Sequence, residues 1–151
     1  MTNSDLANKA ILDAGCGSGY STELIARAFA PSRLVAFDLM PEQIELAERR
    51  SLNADVFVGD MTNLELPSES FDAVFIFGVL HHIPIWRQAL REMASVLKPE
   101  GAMLVEEPQV RFTWPEFERG IEQAGFEILE RSRVLMQSFR SYLARKRHRS
   151  D

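Results

Sequence analysis

Apolar residues along this chain fall into two kinds of segment: short continuous runs, and stretches in which they recur every three or four positions. The first run, Ala10-Ile11-Leu12-Asp13, ends in glycines, and residues 22–29 then set Leu24 against Ala28 and Ile25 against Phe29 at i, i+4. A strand feeding a helix through a glycine turn is expected. Leu34-Val35-Ala36-Phe37-Asp38 reads as a second buried strand, and Pro41 suits the first position of a helix running through Ile44, Leu46 and Ala47. Residues 54–58 read as a third strand ending at Gly59-Asp60, and residues 71–77 as a fourth that is apolar on both faces except at Asp72. Continuous apolar runs suit the strands of a buried parallel sheet.

Pro84 opens the next helix, in which Trp86, Leu90, Met93 and Leu97 share a face, and Lys98-Pro99-Glu100-Gly101 stops it before a strand at residues 102–105. Thr113-x-x-Glu116 spells a capping box around Pro115; Phe117, Ile121 and Ala124 form the buried stripe behind it, and Gly125 ends the helix. Residues 126–134 and 138–143 are strand-like runs too close together for a crossover helix, so they must pair as an antiparallel hairpin. The expected fold class is α/β, a doubly wound sheet with an added edge strand.

A chain of 151 residues with 46% hydrophobic and 26% charged positions makes one domain, residues 1–151, with a real core and no room for a second. Cys16 is the sole cysteine, so no internal disulfide forms, and MTNSDLANKA lacks the basic and apolar regions of a signal peptide. A cytoplasmic location is expected. The longest nearly uncharged apolar stretch, residues 73–85, is far short of the roughly 20 residues of a membrane span. Five of the seventeen basic residues, Arg140, Arg145, Lys146, Arg147 and Arg149, fall in the last twelve positions, which read as a solvated, frayed terminus. Upstream, 12 basic residues stand against 21 acidic ones, a balance that repels nucleic acid. Neither a nucleic acid nor a membrane is expected as partner.

The candidate chemistry begins at Asp13-Ala14-Gly15-Cys16-Gly17-Ser18-Gly19, where the first strand meets the first helix and open α/β sheets bind ligands. Taken alone, that string is also an ordinary tight turn. Asp38 ends the second strand, 19 residues beyond Gly19, where a carboxylate can accept from both ribose hydroxyls of an adenosine; a helix cap is the plainer alternative. Asp60, beside Met61, could read an adenine amino group while the thioether packs on the ring, or could simply sit in a polar turn. Dinucleotide enzymes, the nicotinamide reductases among them, want Gly-x-Gly-x-x-Gly, and Tyr20 stands where that third glycine would fall. Asp13, directly before the turn, sits badly beside a pyrophosphate but suits a ligand bearing an ammonium and a sulfonium, S-adenosylmethionine.

At this point the chain resembles the class I S-adenosylmethionine-dependent methyltransferases, especially the small-molecule group called type 11, from about Lys9 to Arg145. LDAGCGSGY is similar to the first motif of that family, FDLMPEQIELA to the second, VGDMTNL to the third, FDAVFIFGVLHHIP to the fourth, and LKPEGAMLVEE to its fifth strand. The resemblance implies a Rossmann-like three-layer sandwich around a seven-stranded sheet, mostly parallel with the last strand antiparallel. It implies that Asp13, Gly15 and Gly17 line the methionine part of the cofactor, with Cys16, Gly19 and Leu39 also at the cofactor site. By the same resemblance Asp38 holds the ribose, Met40 and Met61 flank the adenine, Asp60 meets its amino group, and Phe77 passes under the sulfonium. Cys16 is expected as a small residue packed in the turn, not a nucleophile. Gly78 stands where many relatives carry an acid or amide, which removes one contact.

His81-His82 follows the fourth strand; His81 is expected to fix the loop and His82 is the candidate general base. Two adjacent histidines without a third ligand make no metal site, and none is expected. Glu106-Glu107-Pro108 and Trp114 could face a substrate amine or aromatic ring, although exposed acids and a helix-anchoring Trp are equally ordinary. The Asn/Asp-Pro-Pro-Tyr-like signature of nucleic-acid amino-methylating relatives is replaced by Phe77-Gly78-Val79-Leu80. The expected function is methyl transfer to a small-molecule acceptor. The alternative is a non-catalytic cofactor-binding module or partner subunit, because only nine residues precede Ala10 where relatives place several dozen helical ones. A cleft lined by Ile83, Ile85, Trp86 and Trp114 could then be completed by a second copy or a different protein.

Overall fold

The computed structural model describes residues 3–50, 52–134 and 138–148. A four-residue helix, α1 (Asn3–Leu6), leads into β1 (Ala10–Ala14), α2 (Tyr20–Phe29), β2 (Arg33–Asp38), α3 (Pro41–Arg49) and β3 (Asp55–Val58). β4 (Phe71–Phe77) follows, then a one-turn 3₁₀ helix (Leu80–His82), α4 (Trp86–Val96), β5 (Leu97–Pro108), α5 (Trp114–Gln123), β6 (Phe126–Val134) and β7 (Phe139–Lys146). The strands form one sheet in the order β3-β2-β1-β4-β5-β7-β6. The first five are parallel, and β7 runs antiparallel to both of its neighbours.

Alternation along the strands sorts the core into layers. Leu12, Val35, Val74, Ile76, Met103 and Val105 point to one face, where they meet Leu90 and Met93 of α4 and Phe117 and Ile121 of α5. Ile11, Leu34, Ala73 and Phe75 point to the other, against Leu6 and Ile25, and Ala36 meets Ile44 of α3 there. The result is the doubly wound arrangement expected from the alternating pattern, in the three layers that the family resemblance implied. The capping box of α5 also forms: the Glu116 N–H donates to Thr113 Oγ1 at 3.3 Å and the Thr113 N–H to Glu116 Oε2 at 3.4 Å.

The hairpin adds the expected edge strand, which is β6, because β7 inserts between β5 and β6. Its Tyr142 and Ala144 are fully buried, whereas β6 carries the exposed run Leu129 to Arg133 that an outer strand tolerates. Three expectations need correction. The basic segment is no frayed tail. Arg145 pairs with Glu127 at 2.7 Å and Glu100 at 3.4 Å, and Lys146 Nζ donates to the Leu97 carbonyl at 2.6 Å. Arg149 lies outside the described residues, as do residues 135–137 between the two strands. Trp86, not Pro84, opens α4, because Pro84 and Ile85 form a separate turn ahead of the helix. Finally, β5 starts at Leu97 and takes in residues 98–101 as an irregularity, where its register against β4 shifts between Phe71 and Ala73.

Candidate active site

Strand order reverses between β1 and β4, and at the carboxyl ends of these strands the sheet opens onto a cavity of about 700 Å³. It is lined by Gly15 and Gly17, by Asp38, Leu39 and Met40, by Asp60 and Met61, and by Phe77 and His82. Asp13, Cys16 and Gly19 are not among the lining residues. The sequence reading thus gathered eight of its eleven cofactor positions, and its candidate base, around one space.

The glycine turn is held by β2, whose Phe37 carbonyl accepts from the Gly15 and Cys16 N–H groups, both at 2.9 Å. Gly15 has φ 78°, and a β-carbon there would lie 2.5 Å from Val79 Cγ2, so the turn and the chain leaving β4 touch directly. Gly17, at φ 52°, is different: a β-carbon would meet only Gln43 Oε1 at 3.7 Å, on the open side. Its N–H donates to Asp38 Oδ2 at 2.9 Å, and the Met40 N–H donates to Asp38 Oδ1 at 3.0 Å. Each oxygen keeps a second lone pair. Asp60 is exposed; the Thr62 N–H and hydroxyl donate to its Oδ1 at 2.9 and 2.7 Å and hold its pKa below the ordinary carboxylate value.

Asp13 is fully buried, and burial pushes its pKa up. Ser21 and Thr22, in the first turn of α2, donate to Oδ2 at 2.6 and 2.7 Å, while Oδ1 is buried without a hydrogen-bond partner. Burial, then the negative charges of Asp13 and Asp38, push the Cys16 thiol up to about 12. Native Cys16 should react with iodoacetamide at least ~100-fold more slowly than after unfolding in urea, followed by mass spectrometry; equal rates would contradict the buried placement.

Beyond β4, Ile83 and Ile85 line the cavity as expected, but Trp86 and Trp114 do not. Both are buried in the core, Trp86 against Phe112 and Phe117, and Trp114 against Tyr142 under the Arg140 guanidinium. The residue that sequence reasoning undervalued is Glu107. Instead of an exposed acid it is fully buried, and it accepts from the N–H groups of Val79 at 2.8 Å, Leu80 at 2.7 Å and His81 at 3.3 Å. His81 Nδ1 lies 2.8 Å from Glu107 Oε2, which makes this ring a fixed part of the loop. The available signal was alternation in β5, where Met103, Val105 and Glu107 share the inner face.

A family model described as a methyltransferase domain matches residues 12–105, well over half of the chain. The chain belongs to the class I S-adenosylmethionine-dependent methyltransferases. That membership brings S-adenosylmethionine as cofactor. A fatty-acid O-methyltransferase of Mycolicibacterium smegmatis is 33% identical to this methyltransferase domain over 132 residues, 86% of this chain and 48% of the relative. A ubiquinone biosynthesis O-methyltransferase of Xanthomonas euvesicatoria is 36% identical over 109 residues, 69% of this chain and 45% of the relative. The chain thus spans about half the length of these curated relatives. Among solved structures, a chain from the complex of the Haloferax volcanii Trm112 methyltransferase activator with its methyltransferase superposes with a TM-score of 0.86 at 16% identity, covering 94% of this chain and 84% of that one. The [4+2]-cyclase SpnF gives a TM-score of 0.86 at 20% identity, covering 96% of this chain and 77% of that one. These two likenesses concern the fold, and a fold shared with a cyclase leaves the reaction to the site.

Proposed function

We propose that this domain transfers a methyl group from S-adenosylmethionine to a small molecule with an apolar body. The observation that carries the reading is the Asp38 carboxylate, held by the Gly17 and Met40 N–H groups in the lining of a cavity that Phe77, Val79 and Ile83 also line. Asp38 would hold the ribose hydroxyls, and Asp60, Leu39, Met40 and Met61 the adenine. Gly15 and Gly17 would let the backbone approach the methionine portion. Asp13, with Oδ1 unpartnered, would supply negative charge toward the ammonium and sulfonium. When bound, S-adenosylmethionine supplies an electrophilic methyl group, so an acceptor need bring only a lone pair in line.

The residues of the chain then align and desolvate. Phe77, Val79 and Ile83 keep water from the reacting end of the cavity, and His82, on its wall, can take a proton from an acceptor hydroxyl or acid. Relatives named for fatty-acid and ubiquinone-biosynthesis O-methylation support an acceptor of this apolar kind. The same reading keeps the reaction in the cytoplasm, where a single reduced thiol such as Cys16 persists. Calorimetry with S-adenosylmethionine and S-adenosylhomocysteine tests it. Binding in the micromolar range is expected, and no heat at high micromolar ligand sinks the proposal.

A second reading has its own observation. Leu39, Met40 and Ile85 are 66%, 54% and 59% exposed at the cavity mouth. A second copy or a partner subunit would cover them and complete the acceptor site; one structural neighbour comes from a complex of a methyltransferase with its activator. Light scattering during size exclusion tests it, and a strict monomer that methylates a fatty acid or phenol unaided removes it.

A further inference from the structure

Asp13 and Glu107 are the two carboxylates fully buried among the described residues. Asp13 accepts from Ser21 and Thr22 of α2 and leaves Oδ1 without a partner. Glu107, in contrast, is matched by donors at both oxygens, as a buried carboxylate needs. Its donors all come from one short turn: the N–H groups of Val79, Leu80 and His81, and His81 Nδ1. Arg140, its register partner on β7, instead lies 3.9 Å from Glu118 and over the Trp114 ring.

That turn carries two pieces of the cavity wall. Val79 abuts Gly15, close enough that no β-carbon fits between them, and the His82 ring rests on the His81 ring with centroids 3.9 Å apart. The Arg111 guanidinium adds a hydrogen bond at 2.7 Å to the His81 carbonyl from the far side. Residue 107 itself is not among the residues that line the cavity.

We infer that Glu107 is a positioning residue of the methyl-transfer site, holding residues 79–82 so that Val79 closes on the glycine turn and His82, through His81, faces the cavity. The inference rests on the proposed function in taking this cavity as the methyl-transfer site. Glutamine at position 107 has nearly the same shape but replaces one acceptor oxygen with a donor, turned toward N–H groups that also donate. Only the charge and acceptor pattern change.

The test uses the full chain labelled with ¹⁵N-histidine, which has three histidines and therefore readable imidazole spectra. In the wild-type protein His81 Nδ1 should carry a proton, donated to Glu107 Oε2. In Glu107→Gln that proton should move to Nε2 and the His82 signals should shift, while those of His148 stay in place. Affinity for S-adenosylhomocysteine should fall by about tenfold although Asp38 and Gly17 are intact, equivalent to the loss of one good hydrogen bond at the wall. A folded Glu107→Gln protein with wild-type His81 and His82 signals and wild-type affinity overturns the inference. If Glu107→Gln does not fold, His81→Phe carries the test: it keeps the three backbone bonds and removes the ring donor, and unmoved His82 signals there overturn the link from Glu107 to His82. Wild-type protein that fails to bind S-adenosylhomocysteine refutes the proposed function instead, and the histidine spectra still decide the clamp.

Discussion

Replacing Asp38 with alanine should weaken S-adenosylhomocysteine binding by about 100-fold in a calorimetric titration, since hydrogen bonds to a charged acceptor contribute about 1.5–3 kcal/mol each and 1.4 kcal/mol is tenfold. Two effects act together. The ribose hydroxyls would lose their acceptor, and the Gly17 and Met40 N–H groups would lose the carboxylate that orients the turn toward the ligand. The folded protein itself should change little, because Asp38 is only half-buried and water can reach the freed donors. Asp38→Asn should fall between the two proteins, near ~10-fold, since one acceptor oxygen survives. Affinity within threefold of wild type in Asp38→Ala would remove Asp38 from the ribose and with it the main support for the proposed function.

Gly15→Ala should destabilise the fold by about 3 kcal/mol, the sum of a left-handed backbone cost of about 1–2 kcal/mol and an overpacking cost of similar size. The backbone term follows from φ 78°. The packing term follows from a β-carbon 2.5 Å from Val79 Cγ2 and 2.8 Å from Cγ1. Val79 cannot easily retreat, because its N–H is bound to the buried Glu107 carboxylate. In a domain of this size the thermal midpoint should drop by about 10 °C, read by scanning calorimetry. Gly17→Ala is the informative control. With φ 52° and open space around the β-carbon it should cost only about 1 kcal/mol of stability, yet weaken cofactor binding, because the methyl group enters the cavity. Equal destabilisation by the two changes would mean that the contact between Val79 and Gly15 carries no energy.

Both expectations concern residues that the sequence alone picks out, and the reason is positional. In a parallel sheet the ligand-binding ends of the strands are also the ends of apolar runs, so Gly15, Asp38 and Asp60 each announce themselves by interrupting one, and Phe77 by being the last residue of its run. Glu107 interrupts its run in the same way, and its place beside Glu106 looked like ordinary surface acidity. Which of the two faces inward depends on the parity of β5, and the irregularity at residues 98–101 obscures where that parity begins. Trp86 and Trp114 were misplaced for a related reason. An aromatic residue at the first position of a helix near a strand end can face either the cleft or the core. Here Gly120, within α5, lies so close to the Trp86 ring that a β-carbon there would collide with it, and the ring is taken into the core.

By itself, the sequence determined the succession of elements, the glycine turn with its flanking acids and the class of cofactor, because each rests on short-range spacing and on which side chains stop a strand. Tertiary structure alone decided that β7 lies inside the sheet, that the basic segment is tied to Glu127, Glu100 and Leu97, and that one acid of a pair is sealed beneath the histidine turn. Those outcomes depend on partners far apart in the chain. Tyr142 and Ala144 gain more by burial between β5 and β6 than the polar face of β6 would, and the Glu107 charge is tolerated only where four donors from another segment converge on it.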